Sequence, residues 1–457
     1  MRWVYAFLLL TCSAAVAQES QLHADFRGEG VRFRENCGKF TPKLEMACAE
    51  LIFTDHPLHL AVGSLAPQNG FGAGAALVAH WTPNEFWRTS LDVDAIATPN
   101  TSWRAGGYFK VIYTPVETIT PITTGSGTPK HSSLAVHPYT VFNLYAQSVS
   151  LKKIYYYGLG PNTLKTAQSV FGMQQTITGM NAIIPIVPKL SLSLLGEMNG
   201  RVVNINPNHS ESAPSIETVY TEATAPGLTR QPSYLQFGEG LRFNPTLFND
   251  HWQVDYLANL QEFLGSHSSF HRFTEDFSWT FPIYRNGGSY GPKAINGPDE
   301  CAVAVGAKCP SITTNRTGSI GVRIIEIQTI PSSGSTVPFY FQPTLGGSDI
   351  NGNTLLGSYD DYRFRAPNAL LLRESLEHSI WGPLGFMFSA DQGKVAFRRG
   401  DINFTHLAHS FSVGATLRAA GLPVISLSYC WGGKEGSHTI ASVNNSLGGG
   451  GGRPSLF

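Results

Sequence analysis

The residues of this chain that could do acid–base, nucleophilic or metal chemistry are scattered rather than gathered. His406 and His409 are three apart, which puts them on opposite faces of a strand, so they cannot chelate together. His267 and His271 share a face in extended chain but then stand roughly 13 Å apart at the strand rise. The carboxylate pairs Asp92/Asp94 and Asp360/Asp361 have the look of wet-interior or loop acids. The Gly-x-Ser-x-Gly pattern occurs at Gly287 to Gly291, in a long loop-like excursion rather than at a strand-to-helix elbow, and no phosphate-cradling glycine loop or His-Glu-x-x-His helix occurs. A serine, a histidine and an acid cannot be assembled from adjacent segments, so neither catalysis nor a metal or other cofactor is expected. Four of the six cysteines fall in two close pairs, Cys37 with Cys48 and Cys301 with Cys309, while Cys12 lies in the N-terminal apolar run and Cys430 stands alone at a strand position. In an oxidising compartment each pair is expected to close a small disulfide loop, free thiols being the alternative; neither has zinc-site spacing.

The elements that must carry these residues follow from composition. Residues 1–17 read as a secretory signal peptide: Arg2 precedes an apolar run that ends in Ala15-Val16-Ala17. Beyond it, charged residues make up only 14% of the chain against about 25% in soluble domains, and there are 47 glycines. The formal net charge is zero, which removes the electrostatic case for nucleic acid. No later apolar run reaches the length of a membrane-spanning helix.

Periodicity supplies the fold. Trp87, Thr89, Leu91, Val93, Ala95 and Ala97 alternate with Arg88, Ser90, Asp92 and Asp94. Trp103 to Tyr113, Leu190 to Arg201, Trp252 to Gln261 and Leu407 to Arg418 behave alike. A period of two is β-structure, and runs of ten or more residues suit tilted membrane strands better than the shorter strands of a sandwich. Trp87, Trp103, Tyr113, Trp252, Tyr429 and Trp431 sit at strand ends, as interfacial aromatic girdles do; core aromatics are the alternative. The expected architecture is all-β: a transmembrane antiparallel β-barrel of about 16 strands over residues 58–447. Residues 18–57 would be a periplasmic lead-in or small plug, and 448–457 a glycine-rich flexible tail. The stretch 368–381 has a helix-like pattern and is assigned as a strand from its neighbours.

The order Pro338-Phe339-Tyr340, Leu345-Gly346-Gly347, Gly357-Ser358-Tyr359, Arg363-Phe364-Arg365 and Phe388-x-x-Asp391-x-Gly393-Lys394 resembles the C-terminal barrel of the BamA/TamA-type bacterial surface antigen superfamily. So do Ser410 to Arg418 and Pro423 to Trp431. The likeness is specific over about 120 C-terminal residues. It implies a long loop folded into the lumen, with a tip motif at Leu356, Gly357, Ser358 and Tyr359. In that family an arginine of the tip pairs with an inward acid. Here the tip has no arginine, and Asp391 is the acid, so Arg363 or Arg365 is expected to supply the cation. The roughly 40 residues between 18 and 57 are too few for a POTRA domain. The resemblance implies an outer-membrane location, lipid as a partner, periplasmic or outer-membrane proteins as further partners, and a role in outer-membrane protein assembly or transport. A structural barrel and a passive pore are the alternatives.

Overall fold

The computed structural model describes residues 21–37, 57–84, 86–114, 139–247, 252–286, 316–381, 384–419, 422–443 and 453–456. One helix, α1 (Gln21–Cys37), precedes the sheet and approaches its second strand. Among the described residues sixteen long strands then follow, besides the two-residue strand Thr246–Leu247: β1 (Leu58–Ser64), β2 (Phe71–Asn84), β3 (Trp87–Ala97), β4 (Trp103–Tyr113), β5 (Thr140–Tyr156), β6 (Ser169–Val187), β7 (Leu192–Pro207) and β8 (Tyr234–Phe243). The second half comprises β9 (Trp252–Gly265), β10 (Phe270–Asn286), β11 (Arg316–Pro331), β12 (Asn368–Trp381), β13 (Leu384–Ala396), β14 (Ala408–Ala419), β15 (Leu422–Gly433) and β16 (Gly436–Val443). Each strand pairs antiparallel with the next in sequence. This meander of long strands is the expected barrel, and 368–381 is strand, as its neighbours required.

The two faces are inverted relative to a soluble barrel. On β5, Phe142 and Leu144 point outward and stay exposed, while Asn143 and Gln147 are buried inside. On β7, Leu194, Met198 and Val202 are exposed and Asn199 and Arg201 are buried. β13 repeats the rule with Phe388 outside and Ser389 and Asp391 inside. An apolar exterior around a polar interior is the pattern that lipid selects, because hydrocarbon solvates no polar group. The ring pair Trp87 and Tyr113, 4.9 Å apart, sits at one rim, and Tyr429 with Trp431, 5.9 Å apart, near the other.

The interior is not uniformly polar. On β5 a register shift between Leu151 and Ile154 turns Ile154 and Tyr156 inward. From there toward the β5–β6 connection the inner wall is apolar, and this end of the barrel holds a packed core of Tyr156, Phe171, Phe263, Phe270 and the residues of the β11–β12 connection.

Among the described residues the sheet is not closed by hydrogen bonds. β1 and β16 come within 8 Å, Cα to Cα, yet no ladder joins them among the described residues. Over the described residues these are also the shortest of the sixteen strands, at 7 and 8 residues, against 19 in β6. Cys37 is disulfide-bonded. Cys48, Cys301 and Cys309 lie outside the described residues, as do residues 1–17.

An arginine at Met198, near the middle of the outer face of β7, is expected to destabilise the folded protein in bilayers by roughly 2–4 kcal/mol, while Met198→Leu is neutral within roughly 1 kcal/mol. Urea titration of folding into liposomes measures both.

Candidate functional site

The candidate site is the connection between β11 and β12, which turns into the barrel mouth instead of leaving it. Its entry is a single tight turn, Phe339–Phe341, whose three rings are fully buried. Phe339 lies 5.0 Å from Tyr156 and 5.2 Å from Phe171, ring to ring. Phe341 lies 5.0 Å from Tyr234 and 5.3 Å from Phe263. One turn therefore bridges two neighbouring strand pairs of the wall, β5–β6 and β8–β9, on either side of β7, through aromatic contacts worth about 0.5–1.5 kcal/mol each beyond their burial.

Buried arginines fix the backbone of that turn. Arg365 donates from Nη1 to the Phe339 carbonyl at 2.7 Å, with its guanidinium 5.8 Å above the Phe339 ring. Arg272 of β10 donates to the Phe341 carbonyl and lies 5.3 Å from the Phe263 ring. A delocalised guanidinium over aromatic faces tolerates desolvation better than an ammonium would. Burial still pulls the Arg365 guanidinium down to about 10.

After the turn, Thr344–Leu345 pairs with Phe364–Arg365 as a miniature ribbon. Gly346 follows at φ +108, where a Cβ would meet the Arg363 Cβ at 2.5 Å. Only glycine lets the chain fold back this closely. The fold-back is held by Gly346 N–H to the Leu355 carbonyl at 2.9 Å and Tyr362 N–H to the Gly346 carbonyl at 3.0 Å.

The tip residues Leu356, Gly357, Ser358 and Tyr359 press against the last four strands. Leu356 adopts φ +57 and is fully buried; its N–H donates to Asp391 Oδ2 of β13 at 3.0 Å. Ser358 N–H donates to Ser410 Oγ of β14 at 2.9 Å. A Cβ on Gly357 would stand 2.6 Å from Cys430 Sγ of β15 and 3.1 Å from the Ile440 Cδ1 of β16, so this glycine is needed for the approach.

The expected cation of Asp391 is corrected by the structure. Neither Arg363 nor Arg365 reaches it. Arg373, directly opposite on β12, donates from Nε to Oδ1 and from Nη2 to Oδ2, each at 2.7 Å. A cross-strand fork brings the guanidinium to the carboxylate without bending the plug backbone. The sequence held a signal for this, because β12 and β13 leave only Gly382-Pro383 between them, and counting outward places residue 373 within one position of 391. Arg373 also donates to the Thr354 carbonyl, so the same side chain binds wall and loop.

Arg363 has a different task. It donates from Nε to Glu435 Oε1 at 2.6 Å, and from Nη1 and Nη2 to the Thr163 hydroxyl and carbonyl at 2.7 and 2.6 Å. Thr163 lies between β5 and β6, and Glu435 between β15 and β16, so Arg363 ties two distant turns to the loop. Asp360 adds Lys165 at 3.0 Å and His438 at 3.5 Å. Asp361 accepts from Gln68 Nε2 at 2.7 Å and from Ser348 N–H at 2.8 Å. Burial raises the Asp361 carboxyl above its usual range, as it does that of Asp349. The long β7–β8 connection joins in: the Phe339 N–H donates to the Pro226 carbonyl at 2.8 Å and the Tyr156 hydroxyl to the Thr224 carbonyl at 2.7 Å. The loop thus fills the mouth as a plug fastened all round the rim. Among the described residues no group of three or more His, Cys, Asp or Glu is placed to hold a metal ion.

The residues 453–456 complete the interior. The sequence suggests a free tail there, but Pro454 and Leu456 are buried, and Leu456 N–H donates to Asn351 Oδ1 of the plug at 3.0 Å.

The sequence matches no protein-family model and no curated protein. In structure the chain is similar to BamA from Haemophilus ducreyi lacking POTRA domains 1–3, at 10% identity and a TM-score of 0.48, over 84% of this chain and 69% of that one. It is similar to CdiB from Acinetobacter baumannii, at 11% identity and 0.44, over 84% of this chain and 58% of the other. CdiB from Escherichia coli gives 9% and 0.48, over 85% and 62%. The chain thus spans less than two thirds of either CdiB. At these identities and scores the likeness carries no weight for site or function, which are read from the chain's own geometry.

Truncation of Asp391 to Ala leaves the Leu356 N–H without its acceptor and Arg373 without its carboxylate. A loss toward the lower end of roughly 3–5 kcal/mol is expected, because Arg373 is partly exposed. The swap Arg373→Asp with Asp391→Arg restores part of it, while Arg363→Asp with Asp391→Arg restores none. Denaturant midpoints in detergent measure all three.

Proposed function

We propose that this protein is an outer-membrane barrel of the assembly or secretion type. It handles a polypeptide at the β1–β16 seam or through the lumen, with the 337–365 segment as the plug that keeps the barrel shut at rest. The observation that carries this reading is the combination of a filled mouth with a wall whose two end strands, over the described residues, are the shortest of the sixteen and meet without a ladder. A permanent solute pore gains nothing from a loop fastened at Thr163, Glu435, Asp391 and Ser410. A seam without ladder bonds lets lipid and an incoming strand reach unpaired backbone groups, which is the chemistry by which one β-chain templates another. Lipid of the outer membrane and an unfolded or partly folded polypeptide are the partners this implies.

A purely structural barrel is the second reading, and the many-sided fastening of the plug is what favours it. Two measurements separate the readings. In planar bilayers the intact protein is expected to stay closed, and removal of residues 346–362 to give a steady, several-fold larger conductance. In proteoliposomes the protein is expected to speed the folding of a small outer-membrane barrel several-fold over empty liposomes, and a disulfide between cysteines placed on β1 and β16 to abolish the effect. No acceleration in either state defeats the assembly reading and leaves the structural one.

A further inference from the structure

The segment Arg453-Pro454-Ser455-Leu456 sits in the barrel without belonging to its wall. It forms no ladder with any strand among the described residues and is held through contacts of the kind a peptide ligand makes. The Arg453 guanidinium donates to Asp94 Oδ2 of β3, the oxygen that Arg104 of β4 also bonds at 3.0 Å. Its Cζ lies 5.8 Å from the ring of Tyr108 on β4. The Ser455 carbonyl accepts from Arg201 Nη1 of β7 at 3.0 Å. The Leu456 N–H donates to Asn351 at the plug tip, and its side chain joins the apolar cluster that includes Ile350.

These groups have the right chemistry for reading an extended chain. Asp94 with the Tyr108 face recognises a cation. Arg201 and Asn351 read one carbonyl and one N–H. A dry pocket takes an aliphatic side chain three residues after the cation. The site lies on β3, β4, β7 and the plug, so its occupant touches both the wall and the segment that seals the mouth.

We propose that the lumen contains a binding site for an extended polypeptide of the pattern cation-Pro-polar-aliphatic, and that the chain's own residues 453–456 fill it as a tethered resident ligand. An incoming polypeptide segment of the same pattern must displace them. The tether permits this. Ten residue steps separate Val443, the end of β16, from Arg453, a span of up to about 33–36 Å, and five of the intervening residues are the glycines 448–452. A short glycine-rich tether presents the segment it carries at roughly millimolar effective concentration, so the site is occupied at rest even when its affinity for free peptide is modest. The site is independent of whether the barrel moves polypeptide: peptide binding can hold where insertase activity fails, and the reverse.

The experiment uses detergent-folded protein ending at Gly452, checked by its mobility on unheated gels, and a fluorescein-labelled peptide with the sequence of residues 451–457. Fluorescence anisotropy is expected to show the peptide binding the truncated chain at least about tenfold tighter than the intact chain, as tether competition requires. Asp94→Asn in the truncated chain weakens binding about tenfold, and a scrambled peptide does not bind. Equal binding to both chains, no binding to the truncated chain, or equal binding of the scrambled peptide overturns the proposal. Should the truncated chain fail to fold, the full chain with Asn351→Cys and Leu456→Cys decides: rapid cross-linking in folded protein, lost with Arg453→Glu, is expected. Absence of the cross-link, or its persistence unchanged with Arg453→Glu, overturns the resident-ligand assignment.

Discussion

The structure depends on one constraint: a barrel whose outside meets hydrocarbon must turn its polar groups inward, and each inward charge then needs a partner in a confined space. The chain meets the first half with period-two strands and the second half with a connection folded back into the mouth. Asp391 shows the link between the two. It is an inward carboxylate because of strand parity, and it is satisfied jointly by Arg373 of the neighbouring strand and by a backbone N–H of the plug. Removing the plug therefore empties the mouth and also strips partners from the wall.

The plug is built in two parts with different physics. Its entry is a dry aromatic knot in which Phe339 and Phe341 meet the wall on either side of β7, and Arg365 and Arg272 stand over the rings while bonding backbone carbonyls. Its tip is glycine-dependent: Leu355, Leu356 and Tyr359 join a buried apolar cluster with Ala369, Leu371 and Val395 of the wall, and hydrogen bonds to β13 and β14 and the close approach of Gly357 to Cys430 hold it there. Leu356 sits there in a left-handed conformation that branched and bulky residues disfavour. Residues 453–456 rest against the plug at Asn351, and Leu456 joins the apolar cluster that contains the knot, so plug, tail and wall form one contact network.

Much of the fold was legible because its signal is local. Alternation over ten or more residues, aromatic strand ends and low charge follow directly from lipid on one side and water on the other, and they fixed strand type and approximate number without any long-range information. The plug was legible only through the family resemblance that its glycines and aromatics carry, and the inward placing of Asp391 through strand parity. The cation partner was misread because Arg363 and Arg365 are close to the tip in sequence, whereas pairing across a sheet depends on register, and the register of β12 and β13 was the information that Arg373 needed. The network at Arg363 was not legible at all, because Thr163 is 200 residues away and Glu435 is 72, and nothing in a single sequence ranks such contacts. The tail was read as free because a glycine run signals flexibility and says nothing of what the residues after it bind.

The most direct test of the account is a single-cysteine scan along β7, residues 192–207, labelled with an environment-sensitive fluorophore in bilayers containing lipid-borne nitroxides. The account predicts quenching with a period of two: positions 194, 198 and 202 strongly quenched by lipid, positions 193, 199, 201 and 203 protected. A scan without that period, or with protection and quenching interchanged, would contradict the inverted barrel from which the plug, the seam and the tail site are all derived.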